Sequence, residues 1–226
     1  ASDVYKRQIY NPLRTNLILD AQERGIPAEG GLYMLSAQAV YASAVFQSIK
    51  LDESLIKRAF DSVKSAKQNI VLVGMPSSGK TTVGRILAEK CGKELADTDE
   101  YIVKKIGMSI SDFFAKFGEP EFRRIEKETI AELAATGGKV IATGGGAVLD
   151  PENVRALKQN GTIVFLDRAP ENLIATDDRP LASRRSALEK LYAERYDIYT
   201  AAAEIRIDAN TTPEAEADAI LKELGE

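Results

Sequence analysis

Residues 69–91 read NIVLVGMPSSGKTTVGRILAEKC, and the fold can be inferred outward from them. It opens with Asn69–Val73, a short apolar run rich in β-branched residues, which predicts a buried strand. A helical pattern follows over Lys80–Cys91. Between them residues 74–81 read Gly-x-x-x-x-Gly-Lys-Thr, a turn in which backbone N–H groups and a helix N-terminus surround phosphate groups. The strand–turn–helix context predicts a nucleotide-binding site.

Each part of this turn has a chemical task. The Lys80 ammonium is expected to reach the β- and γ-phosphates, and the Thr81 hydroxyl to bind Mg²⁺. A Gly/Ser turn with a stray lysine is the other interpretation, and the flanking strand and helix disfavour it. The predicted nucleotide-binding residues are Gly74, Met75, Pro76, Ser77, Ser78, Gly79, Lys80, Thr81 and Thr82.

The composition excludes several classes of function. The chain has 226 residues, a net charge of -4, one cysteine and no histidine. The charge does not suit a nucleic-acid partner, and no apolar run reaches the roughly 18 residues of a membrane span. A single cysteine excludes an internal disulfide and fits a cytoplasmic location. Without histidine, catalysis has to use carboxylates, Lys, Arg, hydroxyls, metal ions or backbone amides.

Strand-like and helix-like segments alternate after residue 68. Further strands are predicted at 94–96, 139–142, 162–166 and 205–208, and helices include 121–135 and 187–202. Such alternation predicts an α/β fold, with a parallel sheet and helices on both faces. Residues 1–66 form a separate helical segment, which has too little chain for a core of its own. Residues 1–8 fit neither part and are interpreted as a junction scar.

Two carboxylates follow the second predicted strand. Residues two apart on a strand point to the same face, so Asp97 and Asp99 are expected to project together from its carboxyl end. Open α/β sheets bind ligands at that edge. One carboxylate could help to hold Mg²⁺ through water while the other accepts from a substrate hydroxyl. A solvated turn remains the alternative.

Four other features could contribute to a site for the molecule that accepts the phosphate. Arg123 and Glu126 are three residues apart on a helix, close enough to pair and to orient the guanidinium toward a carboxylate, although a routine surface pair has the same spacing. The glycines at 144–146 expose backbone amides to a ligand, or form a flexible turn. Residues 178–181 read Asp-Arg-Pro-Leu and suggest a mobile lid, and Arg195 lies on the following helix.

The order of these motifs resembles that of the shikimate kinase family, whose fold is that of the nucleoside monophosphate kinases. The motifs GxxxxGKT, DTD, GExxFRRxE, GGGAV, RPL and RxxxY run in sequence over residues 69–225. The resemblance implies a P-loop kinase fold with a five-stranded parallel sheet and a mobile lid. It implies ATP and shikimate as substrates, Mg²⁺ as cofactor and a monomeric kinase domain.

The resemblance also assigns roles to individual residues. Lys80, Asp99 and Arg179 would be catalytic; Thr81 and Asp97 would hold the metal. Arg179, in the lid, would also contact the nucleotide at the transferring phosphate, and Ile110 would join two aromatic rings in the pocket wall. The implied substrate-binding residues are Asp99, Arg123, Gly144, Gly145, Gly146, Arg195, Phe114 and Phe122.

Two departures from the family pattern carry expectations. Ser77 stands where the family usually has a glycine, which predicts strained backbone or an altered phosphate contact. The arginine that usually covers the adenine has no counterpart in residues 174–178, which predicts weaker ATP binding. Other kinases of the same fold, acting on gluconate or nucleoside monophosphates, and a catalytically impaired nucleotide-binding module remain alternatives.

The amino-terminal segment has a likeness of its own. Residues 9–12 (IYNP) and 31–35 (GLYML), with Gln38, resemble the C-terminal tail of shikimate dehydrogenases over residues 9–47. The likeness implies a fragment of a dehydrogenase–kinase fusion, with the kinase domain at 67–226. An interaction or docking role for residues 9–50 is the alternative.

Overall fold

The computed structural model describes residues 5–6, 9–173 and 185–225. Strands and helices alternate along the kinase-like part, and the amino-terminal part is mainly helical. In chain order the elements are β1 (Tyr5–Lys6), α1 (Asn16–Glu23), β2 (Ala28–Glu29), α2 (Leu32–Gln47), α3 (Ser54–Lys67), β3 (Asn69–Val73), α4 (Lys80–Cys91), β4 (Glu94–Asp97), α5 (Thr98–Ile106), α6 (Ile110–Ala134), β5 (Lys139–Ala142), α7 (Pro151–Asn160), β6 (Gly161–Asp167), α8 (Arg185–Ala202), β7 (Ile205–Asp208) and α9 (Pro213–Leu224).

Five strands form one parallel sheet in the order β4-β5-β3-β6-β7. The central strand β3 pairs on both edges, with Ile70 opposite Val140 on one side and Val71 opposite Ile163 on the other. All five of its residues are buried, as the apolar run at residues 70–73 predicts for a strand covered on both faces, and the polar Asn69 donates to the Thr136 carbonyl. The expected five-stranded parallel sheet with helices around it is confirmed.

The two faces of β3 belong to two hydrophobic clusters. Val71 and Val73 pack on one face with side chains from α6, α7 and α8. Ile70 and Leu72 pack on the other face with side chains from α4 and α9. Each fully buried aliphatic side chain contributes about 1.5–3 kcal/mol relative to exposure. This packing fixes the position of the loop that leaves β3 at its carboxyl end.

The carboxyl end of β4 differs from the sequence expectation. Asp97 is the last strand residue, and α5 begins at Thr98, so Asp99 is in the first helical turn. The Asp97 carboxylate accepts from the backbone N–H of Asp99 at 2.9 Å and caps the helix. The expectation that both carboxylates share one strand face was therefore wrong. The Asp97 carboxylate caps a helix that begins at Thr98, so Asp99 is helical and not on the strand.

The helix predicted at 121–135 is the second half of α6. Gly118 interrupts that element with φ 79° and ψ 172°, and Pro120 follows it in the next turn. A glycine adopts this backbone at little cost, and proline is tolerated near a helix start. The kink brings Phe113 and Phe122 from the two halves into one small cluster with Ile102 of α5.

The amino-terminal segment is attached to the kinase-like part through Arg14 and α1. Arg14 Nε donates to the Lys158 carbonyl at 2.8 Å, and its Nη1 pairs with Glu204 at 2.7 Å. Beyond α1, helices α2 and α3 pack on each other, with Tyr33 and Phe60 rings 5.5 Å apart. Within the described ranges no helix is both long and apolar enough to cross a bilayer.

Candidate active site

The loop between β3 and α4 has the backbone of a phosphate-binding turn. Gly74 and Gly79 have φ of 152° and 92°, values that disfavour residues with a side chain. A β-carbon at Gly74 would lie 2.7 Å from the Leu166 carbonyl oxygen. Ser77 has φ 64°, so the predicted strain at this position is present in the backbone.

Lys80 is held inside this loop. Its side chain is buried, and Nζ donates to the carbonyls of Gly74 at 3.0 Å and Met75 at 2.7 Å. Charge-assisted hydrogen bonds of this kind stabilise a buried ammonium. The cation is therefore fixed next to the N-terminus of α4.

One cavity of about 1000 Å³ opens over the loop and extends across the carboxyl ends of the strands. It gathers residues from both the predicted nucleotide and acceptor sets. Three predicted nucleotide-binding residues, Gly74, Met75 and Ser78, are buried and do not line it. The predicted residues that line it are Pro76, Ser77, Gly79, Lys80, Thr81, Thr82, Asp97, Asp99, Ile110, Phe114, Phe122, Arg123, Gly144, Gly145, Gly146 and Arg195.

A hydroxyl and a carboxylate meet at the first turn of α4. Thr81 Oγ1 donates to Asp97 Oδ2 at 2.6 Å. The other Asp97 oxygen accepts from the N–H groups of Asp99 and Glu100, so the carboxylate is held from both sides. A hydroxyl and one carboxylate are hard oxygen donors of the kind that Mg²⁺ accepts together with phosphate oxygens and water. These residues fit such an ion.

Arg123 is clamped by two glutamates from its own helix. Nη1 donates to Glu126 at 2.6 Å, and Nη2 donates to Glu119 at 3.0 Å. Glu126 is 1% exposed, and this burial raises the pKa of its carboxyl despite the opposing effect of Arg123. The two contacts fix the plane of the guanidinium, which lines the cavity.

Three consecutive glycines let other groups approach the cavity floor. A β-carbon at Gly144 would lie 2.7 Å from Asp99 Oδ1, and one at Gly145 would lie 2.8 Å from the Pro76 ring. At Gly146 it would overlap the Arg123 guanidinium, at 2.6 Å from Cζ. The glycine run thus brings the acidic, the basic and the phosphate-binding elements into mutual contact.

Arg195 and Tyr199 of α8 hold the Gly145 peptide. Arg195 Nη1 donates to the Gly145 carbonyl at 3.0 Å, and the Tyr199 hydroxyl donates to the same oxygen. Burial raises the pKa of Tyr199 to about 12, so the hydroxyl keeps its proton and remains a donor. Their spacing of four residues places both side chains on one helical face.

Apolar side chains form one wall of the cavity. The rings of Phe114 and Phe122 lie 4.5 Å apart, and Ile110 lines the same side. The Arg123 guanidinium stands 5.4 Å from the Phe122 ring centre, within cation–π distance. A ligand with both a carboxylate and an apolar face would satisfy this side of the cavity.

Sequence reasoning missed some of the cavity residues, and one residue that it named lies outside the described part of the chain. Arg168 lines the cavity, yet no motif marked it, and Tyr199 was quoted without a role. The spacing of Arg195 and Tyr199 could have indicated Tyr199, whereas no local signal marked Arg168. Arg179 and the predicted lid at 178–181 lie outside the described residues.

Comparisons with known proteins agree with one another. The family model for shikimate kinase matches residues 76–225. A shikimate kinase from Symbiobacterium thermophilum is 45% identical over 148 residues, covering 62% of this chain and 85% of the relative. One from Thermodesulfovibrio yellowstonii is 42% identical over 165 residues, covering 69% and 94%.

A solved structure shows the same likeness in three dimensions. The shikimate kinase from Acinetobacter baumannii, in complex with shikimate, superposes with a TM-score of 0.68 and 35% identity. The match covers 73% of this chain and 96% of that one.

Proposed function

The chain belongs to the shikimate kinase family and is an ATP-dependent kinase that acts on shikimate, and we propose how its residues divide that work. The observation that carries the proposal is that one cavity is lined both by the phosphate-binding loop and by the Arg123 and Arg195 guanidinium groups. Phosphoryl transfer requires positioning and charge neutralisation more than covalent chemistry, so the absence of histidine is no obstacle.

The donor triphosphate lies on the loop between β3 and α4. Backbone N–H groups of the loop and the N-terminus of α4 bind its oxygens. Lys80, now bonded to carbonyls of the same loop, turns to the β- and γ-phosphates when the nucleotide binds. The ammonium exchanges these carbonyl contacts for phosphate oxygens, and its charge then stabilises the transferring group.

Thr81 and Asp97 would hold Mg²⁺. When bound, the ion neutralises charge on the β- and γ-phosphates. The Thr81 hydroxyl and Asp97 carboxylate are already 2.6 Å apart, so one ion can draw on both of them.

The acceptor lies across the glycine run. Arg123 and Arg195 bind its carboxylate together with the Gly145 amide, and planar guanidinium groups suit such an anion. Asp99 accepts from the ring hydroxyls and orients the one that attacks the γ-phosphate. Phe114 and Phe122 cover the apolar side of the ring. A lid with Arg179 at the transferring phosphate completes the proposal and would exclude water.

The test is a steady-state comparison of Arg123→Ala with the wild type in an assay coupled to ADP release. We expect the KM for shikimate to rise at least about tenfold, since charge-assisted hydrogen bonds are lost, while ADP affinity stays the same. Arg124→Ala is the matched control because Arg124 pairs with Glu121 and Glu128 outside the cavity. An unchanged KM for shikimate in Arg123→Ala would contradict the assigned role.

The acceptor assignment is tested separately. Shikimate should be phosphorylated in preference to gluconate and nucleoside monophosphates under the same conditions. Preference for another acceptor, or ATP binding without turnover, would favour the alternatives of a related kinase or an impaired module.

We also propose a fusion origin for residues 9–47, with a cytoplasmic, monomeric kinase domain at 67–226. The likeness of these residues to a dehydrogenase tail supports the proposal, and so does the docking of Arg14 and α1 on the kinase-like part. Reading the gene upstream of this sequence tests it, and a dehydrogenase reading frame continuous with residue 9 is the expected result.

A further inference from the structure

An ion pair outside the predicted motifs stands at one end of the cavity. Arg168 follows β6, and its Nη2 donates to Glu216 Oε1 of α9 at 2.9 Å. Glu216 is 1% exposed, and burial raises the pKa of its carboxyl despite Arg168. A buried ion pair costs desolvation energy and adds little to stability, so packing alone does not account for it.

The pair lies beside the phosphate-binding loop. A β-carbon at Gly79 would lie 3.7 Å from Arg168 Nη2, and Arg168 lines the cavity along with Pro213. Within the described ranges, Nη2 is the guanidinium nitrogen that is hydrogen-bonded, and the buried Nε has no partner. The bond to Glu216 uses one of the five N–H groups of the guanidinium, so others can donate to phosphate oxygens at the edge of the site.

The strand order indicates which end of the donor nucleotide faces Arg168. Asp99 and Arg123 follow β4 and the glycine run follows β5, the phosphate-binding loop follows the central strand β3, and Arg168 follows β6 on the other side. The γ-phosphate has to face the acceptor, toward β5. The α-phosphate and the nucleoside therefore extend toward β6, where Arg168 stands.

We propose that Arg168, oriented by Glu216, binds the α-phosphate end of the donor nucleotide and sets the affinity of the enzyme for ATP. Arg168 is a nucleotide-binding residue, and Glu216 is a positioning residue that acts through it. The inference rests on the proposed function, since it takes the donor to lie on the loop that ends at Lys80.

The test separates donor from acceptor kinetics in Arg168→Met. We expect the KM for MgATP and the Kd for ADP to rise about tenfold, the effect of losing one charge-assisted hydrogen bond. The KM for shikimate and kcat at saturating ATP should stay within about twofold of the wild type, because the acceptor side is untouched. Arg155→Met is the matched control, since Arg155 pairs with Asp20 away from the cavity.

A second variant guards against loss of the fold. Arg168→Met leaves the buried Glu216 carboxylate without its cation, so Arg168→Met/Glu216→Gln removes that charge as well. We expect the double variant to show the same weakened ADP binding by calorimetry. Unchanged nucleotide affinity in the folded double variant would overturn the inference while leaving shikimate kinase activity established. Absence of shikimate-dependent turnover in the wild type would instead refute the proposed function.

Discussion

The guanidinium of Arg123 lies against the backbone of Gly146 so closely that a β-carbon at position 146 would stand 2.6 Å from Arg123 Cζ. Gly146 has φ -101° and ψ -4°, which any residue can adopt, so the glycine is required by the neighbouring side chain and not by the backbone. The proposed acceptor site thus requires a residue without a β-carbon at position 146.

Gly146→Ala should therefore displace Arg123 without straining the loop. We expect the KM for shikimate to rise at least about tenfold, as for loss of a charge-assisted contact. ADP affinity, measured by calorimetry, is the internal control and should not change, because the phosphate-binding loop is intact. A variant with wild-type KM for shikimate would show that Arg123 does not need this position.

Asp97→Asn separates capping of α5 from metal binding. Asparagine caps a helix about as well as aspartate, so the unfolding free energy should change by less than about 0.5 kcal/mol. The negative charge near Thr81 is lost, and the Mg²⁺ concentration for half-maximal rate should rise about tenfold. Asp150→Asn, which alters the cap of α7, is the control and should leave the Mg²⁺ dependence unchanged. Equal Mg²⁺ requirements in both variants would contradict the metal role of Asp97.

The buried carboxyl of Glu126 should give a pH dependence of known sign. Burial raises its pKa above the ordinary 4.5, against the effect of Arg123, so the folded state holds the proton more tightly than the unfolded state. The contribution of the Glu126 carboxyl to stability is fully present below pH 4.5 and is lost as the pH rises through the pKa of the folded state. The unfolding free energy of the wild type minus that of Glu126→Gln should thus fall as the pH rises above 4.5, measured by urea unfolding.

Glu121→Gln supplies a control of opposite sign. Hydrogen bonding to Arg124 lowers the pKa of the exposed Glu121 carboxyl, so its contribution is present above 4.5 and is lost as the pH falls. The unfolding free energy of the wild type minus that of Glu121→Gln should rise with pH. The rise should be weak, because exposed ion pairs are screened by solvent. Parallel slopes for the two variants would refute a raised pKa for the buried Glu126 carboxyl.

Ser77→Gly should stabilise the fold. Ser77 has φ 64°, and a residue with a side chain in this region is strained by about 1–2 kcal/mol. Glycine removes this strain, but its greater freedom in the unfolded chain cancels part of the gain. We expect a net gain of about 0.5–1 kcal/mol in urea unfolding. Ser77→Ala keeps the β-carbon and should give no such gain. Equal stability of both variants would show that no strain resides in this backbone.

Much of the fold could be predicted because its signals are local. β3, β5 and β7 have the bounds that the sequence predicts, and α4 begins at the predicted Lys80, after the glycine that ends the loop. The same holds for Arg123 with Glu126, whose spacing of three residues brings them together within one helix. The prediction that Asp99 lies on a strand was wrong because the backbone N–H of Asp99 donates to the Asp97 carboxylate, which caps α5.

The parallel sheet, the phosphate-binding loop and the residue types of the proposed acceptor site could be read from the chain, since these depend on residue type and short spacing. Which distant groups meet depends on how the strands and helices pack. Arg168 and Glu216 are 48 residues apart, and Gly146 is 23 residues from Arg123 with β5 between them, so neither contact produces a periodic pattern in the sequence. Such contacts arise because the strand order brings the carboxyl ends of β4, β5, β3 and β6 to one edge of the sheet, where close packing selects a glycine or an ion pair.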